Sequence, residues 1–258
     1  MSAKDVKDAR EYKRELIATA RPYWDAEAEI PRRFVASKPS RDDYITYLTS
    51  AVYKELNPAI GYAPPAGYAC NLHQEFALLV DQFPRLHDGA DRHKIYRRLH
   101  MMTEEFNHYR VLADVLQAAL GRPLTEDDIR QMPEDRKLND MRRAYVESGD
   151  PCLVAVMGLT EGGGSRTFAE LSKLKGGEIE DLLARAMGVI YKDEKTHYED
   201  AARQAASAVE SDADLARMKQ ALREVSLQRV RMRYEQFARP MPWQEVEAII
   251  SDGAGRAA

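Results

Sequence analysis

The chain has 258 residues, a net charge of −4 and 31% charged residues. That length can bury a sizeable core as one large all-helical domain or two small ones, and a single helical domain over 1–258 is the expectation. No Lys/Arg-rich block stands apart from its acids, so no footprint for nucleic acid or an anionic membrane is present. The N-terminus carries no apolar signal core and no apolar run approaches a membrane span, which points to a cytoplasmic protein. Two cysteines, Cys70 and Cys152, lie far from any Cys-x-x-Cys spacing and read as buried free thiols.

Residues 2–30 place Val6, Tyr12, Leu16, Ile17, Tyr23 and Trp24 at helical spacing. One or two amphipathic helices are expected, interrupted near Pro22 and stopped at Pro31. Ser40, followed by Asp42 and Asp43, is an N-cap for a helix through Tyr44, Leu48, Val52 and Leu56 to Asn57-Pro58. Residues 57–67, rich in Pro and Gly, predict an irregular loop. From about Tyr68 the chain turns apolar, with one acid, Glu75, in the middle, until Phe83-Pro84. A polar turn at His87-Asp88-Gly89 leads into a long helix from about Asp91 to Leu120, with Gly121 and Pro123 as stop signals.

Residues 122–149 form a long polar connection in which Thr125 caps a short helix, Pro133 starts another and Gly149 ends it. The most apolar stretch, Pro151 to Leu159, then runs into Glu161. The following Gly162-Gly163-Gly164 costs about 1 kcal/mol per residue in a helix relative to Ala. A close helix contact or plain break offsets that cost on one reading. On the other, an unwound turn leaves room for dioxygen and a substrate. Lys175-Gly176-Gly177 breaks the helix, and a further helix runs from about Glu178 to Val209. After Ser211-Asp212 an amphipathic helix runs through Leu215, Met218, Leu222, Val225 and Val230 to Phe237. Pro240 and Pro242 separate it from a short last helix, Trp243 to Ile250, and a frayed tail from Ser251. No segment reads as a β-strand.

Two stretches repeat one signature: Glu104-Glu105-Phe106-Asn107-His108 and Asp193-Glu194-Lys195-Thr196-His197. Positions i and i+3 project from nearly one helix face, so a carboxylate and an imidazole can reach one ion together. Each motif follows an apolar helix with a single acid, Glu75 in one half and Glu161 in the other. An antiparallel hairpin brings Glu75 and Glu105 to similar height, although His73 and Glu55 compete for that role. Burying Glu75, Glu105, Glu161 and Glu194 without a cation costs several kcal/mol per charge. Two divalent ions balance four negative charges, with His108 and His197 as borderline donors. Glu105 and Glu194 are expected to bridge, while Glu75 and Glu161 each serve one metal.

This ligand set resembles that of the ferritin-like di-iron carboxylate superfamily: one Glu from each of two helices and Glu-x-x-His from each of two others. The resemblance covers roughly residues 68–209, with 122–149 as the single crossover. It implies an all-α, ferritin-like four-helix bundle with extra N- and C-terminal helices, holding two iron ions or a manganese–iron pair. By the same resemblance Asp193 orients His108 and Glu104 holds His197, fixing the second ring nitrogen of each. Glu104 departs from the Asp usual in the monooxygenases, and a solvated helix face is the competing reading for both acids.

The implied activity is that of an O₂-dependent oxidase or oxygenase acting on a small organic substrate, supplied with electrons by an external donor or reducing co-substrate. Met101, Leu112, Met157, Phe168 and Ile190 are expected to line its cavity, and Tyr109, Tyr191 and Tyr198 are either electron donors or packing. The alternatives are a ferroxidase or peroxide-scavenging protein, like ferritins and rubrerythrins, and a metal-free helical interaction domain. The outer helix faces leave room for a homodimer.

Overall fold

The computed structural model describes residues 9–57, 62–63, 67–68 and 71–257. The fold is all-α. The helices are α1 (Ala9–Ala36), α2 (Arg41–Leu56), α3 (Leu72–Val80), α4 (Arg92–Leu120), α5 (Pro133–Glu147), α6 (Pro151–Met157), α7 (Glu161–Leu171), α8 (Glu178–Glu194), α9 (His197–Ser207), α10 (Asp212–Gln236) and α11 (Trp243–Ala257). Within the loop expected to be irregular, β1 (Tyr62–Ala63) pairs antiparallel with β2 (Gly67–Tyr68). Tyrosine favours extended backbone, and so short a pairing leaves no periodic signal. Val6 and Cys70, given roles above, lie outside the described residues, whereas Cys152 is a buried free thiol. Among the described residues no helix is long and apolar enough to cross a membrane.

The chain divides into two compact units, one formed by Met1–Asp43 with Met132–Ala258 and the other by Tyr44–Gln131. In the first unit α1 packs against α7, α9, α10 and α11. It runs unbroken through Pro22 and Pro31, contrary to the expected interruption and stop. A proline inside a helix costs about 3 kcal/mol. Burial of Tyr12, Leu16, Ala20, Trp24, Ile30 and Phe34 along one helix, with both prolines themselves buried, opposes that cost. The last helix also exceeds its expected end, continuing past Ser251 to Ala257. Gly253 explains why: a Cβ there would lie 3.0 Å from the Pro22 Cβ, so the glycine lets α11 close on α1.

The three glycines of α7 lie inside a regular helix and take the close-contact reading. A Cβ at Gly162 would overlap the Trp24 indole, at Gly163 the Glu27 carboxylate, and at Gly164 the Arg229 guanidinium. The local irregularity lies just upstream, where Gly158–Thr160 forms a 3-10 turn between α6 and α7. The helix expected over Glu178–Val209 is instead two, because Thr196 (φ −116, ψ −9) leaves helical geometry. That break has a packing cause: α8 packs on α7, while α9 packs on α1 and α6. One straight rod cannot follow both surfaces.

In the second unit α3 packs on α4, and Leu72, Leu79, Ile95, Leu112 and Leu116 are buried. The expected caps are in place. Ser40 and Asp43 exchange bonds across the start of α2, Asp91 accepts from the backbone of His93 and Lys94, and Gly121 (φ 73) ends α4 in the left-handed region that glycine tolerates.

Two glycines separate close contact from mere helix content. G163A is expected to lower stability by about 1–3 kcal/mol, because the Glu27 carboxylate is held by Arg229 and cannot retreat. G188A, with nothing within 4 Å of its added Cβ in α8, is expected to raise stability by about 1 kcal/mol. Thermal or urea unfolding of the two variants measures both.

Candidate metal centres

Among the described residues each unit carries one group of potential ligand atoms. In the second unit Glu55, Glu105 and His108 each offer an atom, all within 4.8 Å of one another, and in the first unit Glu161, Glu194 and His197 do the same. Each Glu-x-x-His therefore gathers one further carboxylate.

In the second unit His108 is 1% exposed, and its Nδ1 lies 3.6 Å from Glu55 Oε2 and 3.9 Å from Glu105 Oε2. Glu105 and His108 share a face of α4 one turn apart, as the i, i+3 spacing requires. Glu55 arrives from the last turn of α2. Its position was legible, because Tyr44, Leu48 and Val52 form a stripe that the next helical step extends to Glu55.

Glu75 is not in this group. It is buried in α3 with Oε2 3.5 Å from Arg98 Nε, and burial raises its carboxyl pKa while Arg98 opposes the rise. Hairpin arithmetic accounts for the partner: Glu75, in the first turn of α3, lies about as far from that helix's end at Val80 as Arg98 lies from the start of α4 at Arg92. Glu105 is a further rise of about 10 Å along that helix at 1.5 Å per residue. Glu104 pairs one turn back with His100, its Oε2 3.3 Å from the His100 Nδ1.

In the first unit Glu161 opens α7, Glu194 closes α8 and His197 opens α9. The break at Lys195-Thr196 thus falls inside the second motif, and His197 Nδ1 still reaches Glu194 Oε2 at 3.1 Å. Asp193, the preceding acid, is partly buried. Burial pushes the Glu161 carboxyl up to about 7 and the charge of Glu194 adds to the rise, against the opposing pull of His197, Arg229 and Arg142. Two carboxylates meet there in a poorly solvated place, an arrangement that a cation relieves.

A third buried acid, Glu27, was missed in the sequence. It is 1% exposed, with Oε2 3.1 Å from Arg229 Nε and 3.6 Å from Arg233 Nε. Helical steps from Leu16 through Ala20 and Trp24 reach Glu27, so an acid on an apolar stripe was the available signal. Nearby, Arg142 donates to the Thr160 hydroxyl at 2.9 Å. Arg142 and Arg229 belong to the electrostatic field that acts on Glu161.

A cleft of about 390 Å³ lies in the first unit, lined by Lys13, Ile17, Arg21, Trp24, Arg166 and Tyr198 among others. None of Met101, Leu112, Met157, Phe168 and Ile190, the expected cavity residues, lines it. Leu112, Met157 and Ile190 are packed in cores, and Met101 is exposed. Tyr191 and Tyr198 do line it. Comparison with protein-family models, curated proteins and solved structures found no match.

The raised Glu161 carboxyl sets a pH signature for the metal-free protein. Below pH 4.5 the group is protonated whether folded or unfolded. As pH rises from 4.5 through about 7 the folded state holds a proton that the unfolded state has lost, so a stabilising contribution disappears, on the order of 3 kcal/mol. E161Q is expected to flatten this decline and to be more stable than the parent at pH 8, measured by chemical denaturation across pH in chelator. In metal titrations E55Q is expected to weaken binding at the second-unit group, whereas E75Q is expected to spare that binding and to lower stability by leaving Arg98 without its carboxylate.

Proposed function

We propose that the chain is a non-haem di-iron oxidase or oxygenase, with one iron held by Glu55, Glu105 and His108 and the other by Glu161, Glu194 and His197. A ferritin-like arrangement of the ligand helices belongs to this proposal. The observation that carries it is the double occurrence of a two-carboxylate, one-imidazole group built on Glu-x-x-His, with ligand atoms within 4.8 Å of one another. Hard oxygen donors with one borderline nitrogen suit ferrous iron or manganese.

Bound iron would supply the reduction of O₂ and the oxidising power, with electrons from an external donor or co-substrate. The chain's own residues do the rest. Glu161 holds its charge at neutral pH when a cation offsets it. Asp193 and Glu104 remain candidates for holding the second imidazole nitrogens. Arg142 and Arg229 temper the negative charge near Glu161 without occupying a ligand position. An organic substrate finds a place in the cleft whose walls come from the same turns as Glu161, Glu194 and His197. That cleft favours substrate oxidation over iron storage.

Anaerobic loading with ferrous iron is expected to give two irons per chain, falling to about one in H108A and in H197A. Exposure to O₂ should then produce a transient absorption whose decay is hastened by an oxidisable substrate. Binding of no metal returns the protein to the interaction-domain reading. Repeated, substrate-independent oxidation of many irons returns it to the ferroxidase reading.

A further inference from the structure

The cleft of the first unit is built differently from its surroundings. Its walls carry four cations, Lys13, Arg21, Arg166 and Lys195, against one acid, Glu199, in a chain whose net charge is −4. Two of the cations are answered. Lys13 Nζ lies 3.4 Å from Glu199 Oε2, and Arg166 pairs with Asp25. Among the described residues Arg21 and Lys195 have no carboxylate partner, which leaves an uncompensated positive charge at the cleft.

Three aromatic side chains, Trp24, Tyr191 and Tyr198, share the remaining walls with Ile17, Gly162, Ser165 and Ala169. Trp24 and Tyr198 meet edge to face with ring centroids 5.1 Å apart, and Tyr191 and Ile17 extend the apolar surface. The Trp24 indole nitrogen is buried with no hydrogen-bond partner among the described residues, a donor whose desolvation is uncompensated. Gly162 permits this wall, because any side chain there would displace the indole. The volume of about 390 Å³ suits a single ring with an acidic substituent.

Cleft and ligand group grow from the same turns. Gly162 and Ser165 follow Glu161 on α7, while Tyr191 and Lys195 flank Glu194 and Tyr198 follows His197. We infer that the cleft binds a small aromatic organic anion, a carboxylate or phosphate ester, with Arg21 and Lys195 answering its charge and Trp24, Tyr191 and Tyr198 holding its ring. Calling that anion the substrate rests on the di-iron reading of the adjoining ligand group; its binding does not.

The test is calorimetric titration of the metal-free full-length chain with benzoate, phenyl phosphate, inorganic phosphate and benzyl alcohol. Saturable binding of at least one aromatic anion is expected, at least tenfold tighter than that of inorganic phosphate or benzyl alcohol, and weakening as salt is raised. R21Q and K195Q, both at exposed positions, should each weaken it several-fold, with R21K retaining more affinity than R21Q. Equal binding of benzyl alcohol overturns the anion assignment, and equal binding of inorganic phosphate overturns the aromatic one. Absence of saturable binding, or indifference to both substitutions, overturns the site. Iron stoichiometry after anaerobic ferrous loading of a second portion of the same metal-free preparation keeps the two readings apart. Two irons without anion binding fails this inference alone, and anion binding without iron fails the oxidase alone.

Discussion

The first unit depends on how closely α1 approaches α7 and on the Arg229 side chain that reaches α7 from α10. Successive helix positions point about 100° apart, so three consecutive glycines strip most of one turn and expose bare backbone to two neighbours. Into that space go the Trp24 indole, the Glu27 carboxylate and the Arg229 guanidinium. A slip of α7 by one residue would set side chains against these groups. Because Glu27 is bound to Arg229 and Arg233, the contact also locks α1 to α10. Such a buried ion pair gains little net stability over apolar packing, yet breaking it is costly, so its effect is to specify one register. Glu161 is the residue immediately before the glycines, and its position follows from that register.

From that starting point the ligand groups illustrate a conflict between folding and chemistry. Side chains that a core would reject are brought together: two carboxylates and an imidazole in each unit. Glu161 bears the consequence as a carboxyl pushed up to about 7. Natural folds accept such a cost where a ligand repays it. The break between α8 and α9 falls inside this group, since Glu194 closes one helix and His197 opens the next, each helix following its own packing surface. The cleft beside them joins positive charge to aromatic walls in a chain that is acidic as a whole.

Local chemistry made much of the architecture legible. Ser40, Asp91, Thr125 and Ser211 mark helix starts because a side-chain oxygen meets backbone N–H groups within the first turn. Gly121 and Gly149 mark ends through positive φ. The two Glu-x-x-His pairs were visible because helical spacing alone sets which residues share a face. Glu75 was harder to place, since its partner depends on the height at which α3 meets α4. Arg98, not Glu105, lies at that height. Glu55 and Glu27 stood on apolar stripes, yet an acid in that register can be snorkelling or buried, and only the neighbouring helix decides.

By itself, then, the amino-acid order determined the all-helical class, the caps and stops, and the two recurring ligand pairs, all of which follow from interactions within a turn or two of backbone. Tertiary structure decided the continuity of α1 through two prolines, the split at Thr196, the full length of α11, the second carboxylate of each group and the cationic cleft. Each of those results from contacts between residues distant in the chain, whose free energy exceeds or redirects the local preference and leaves no periodic trace in the sequence.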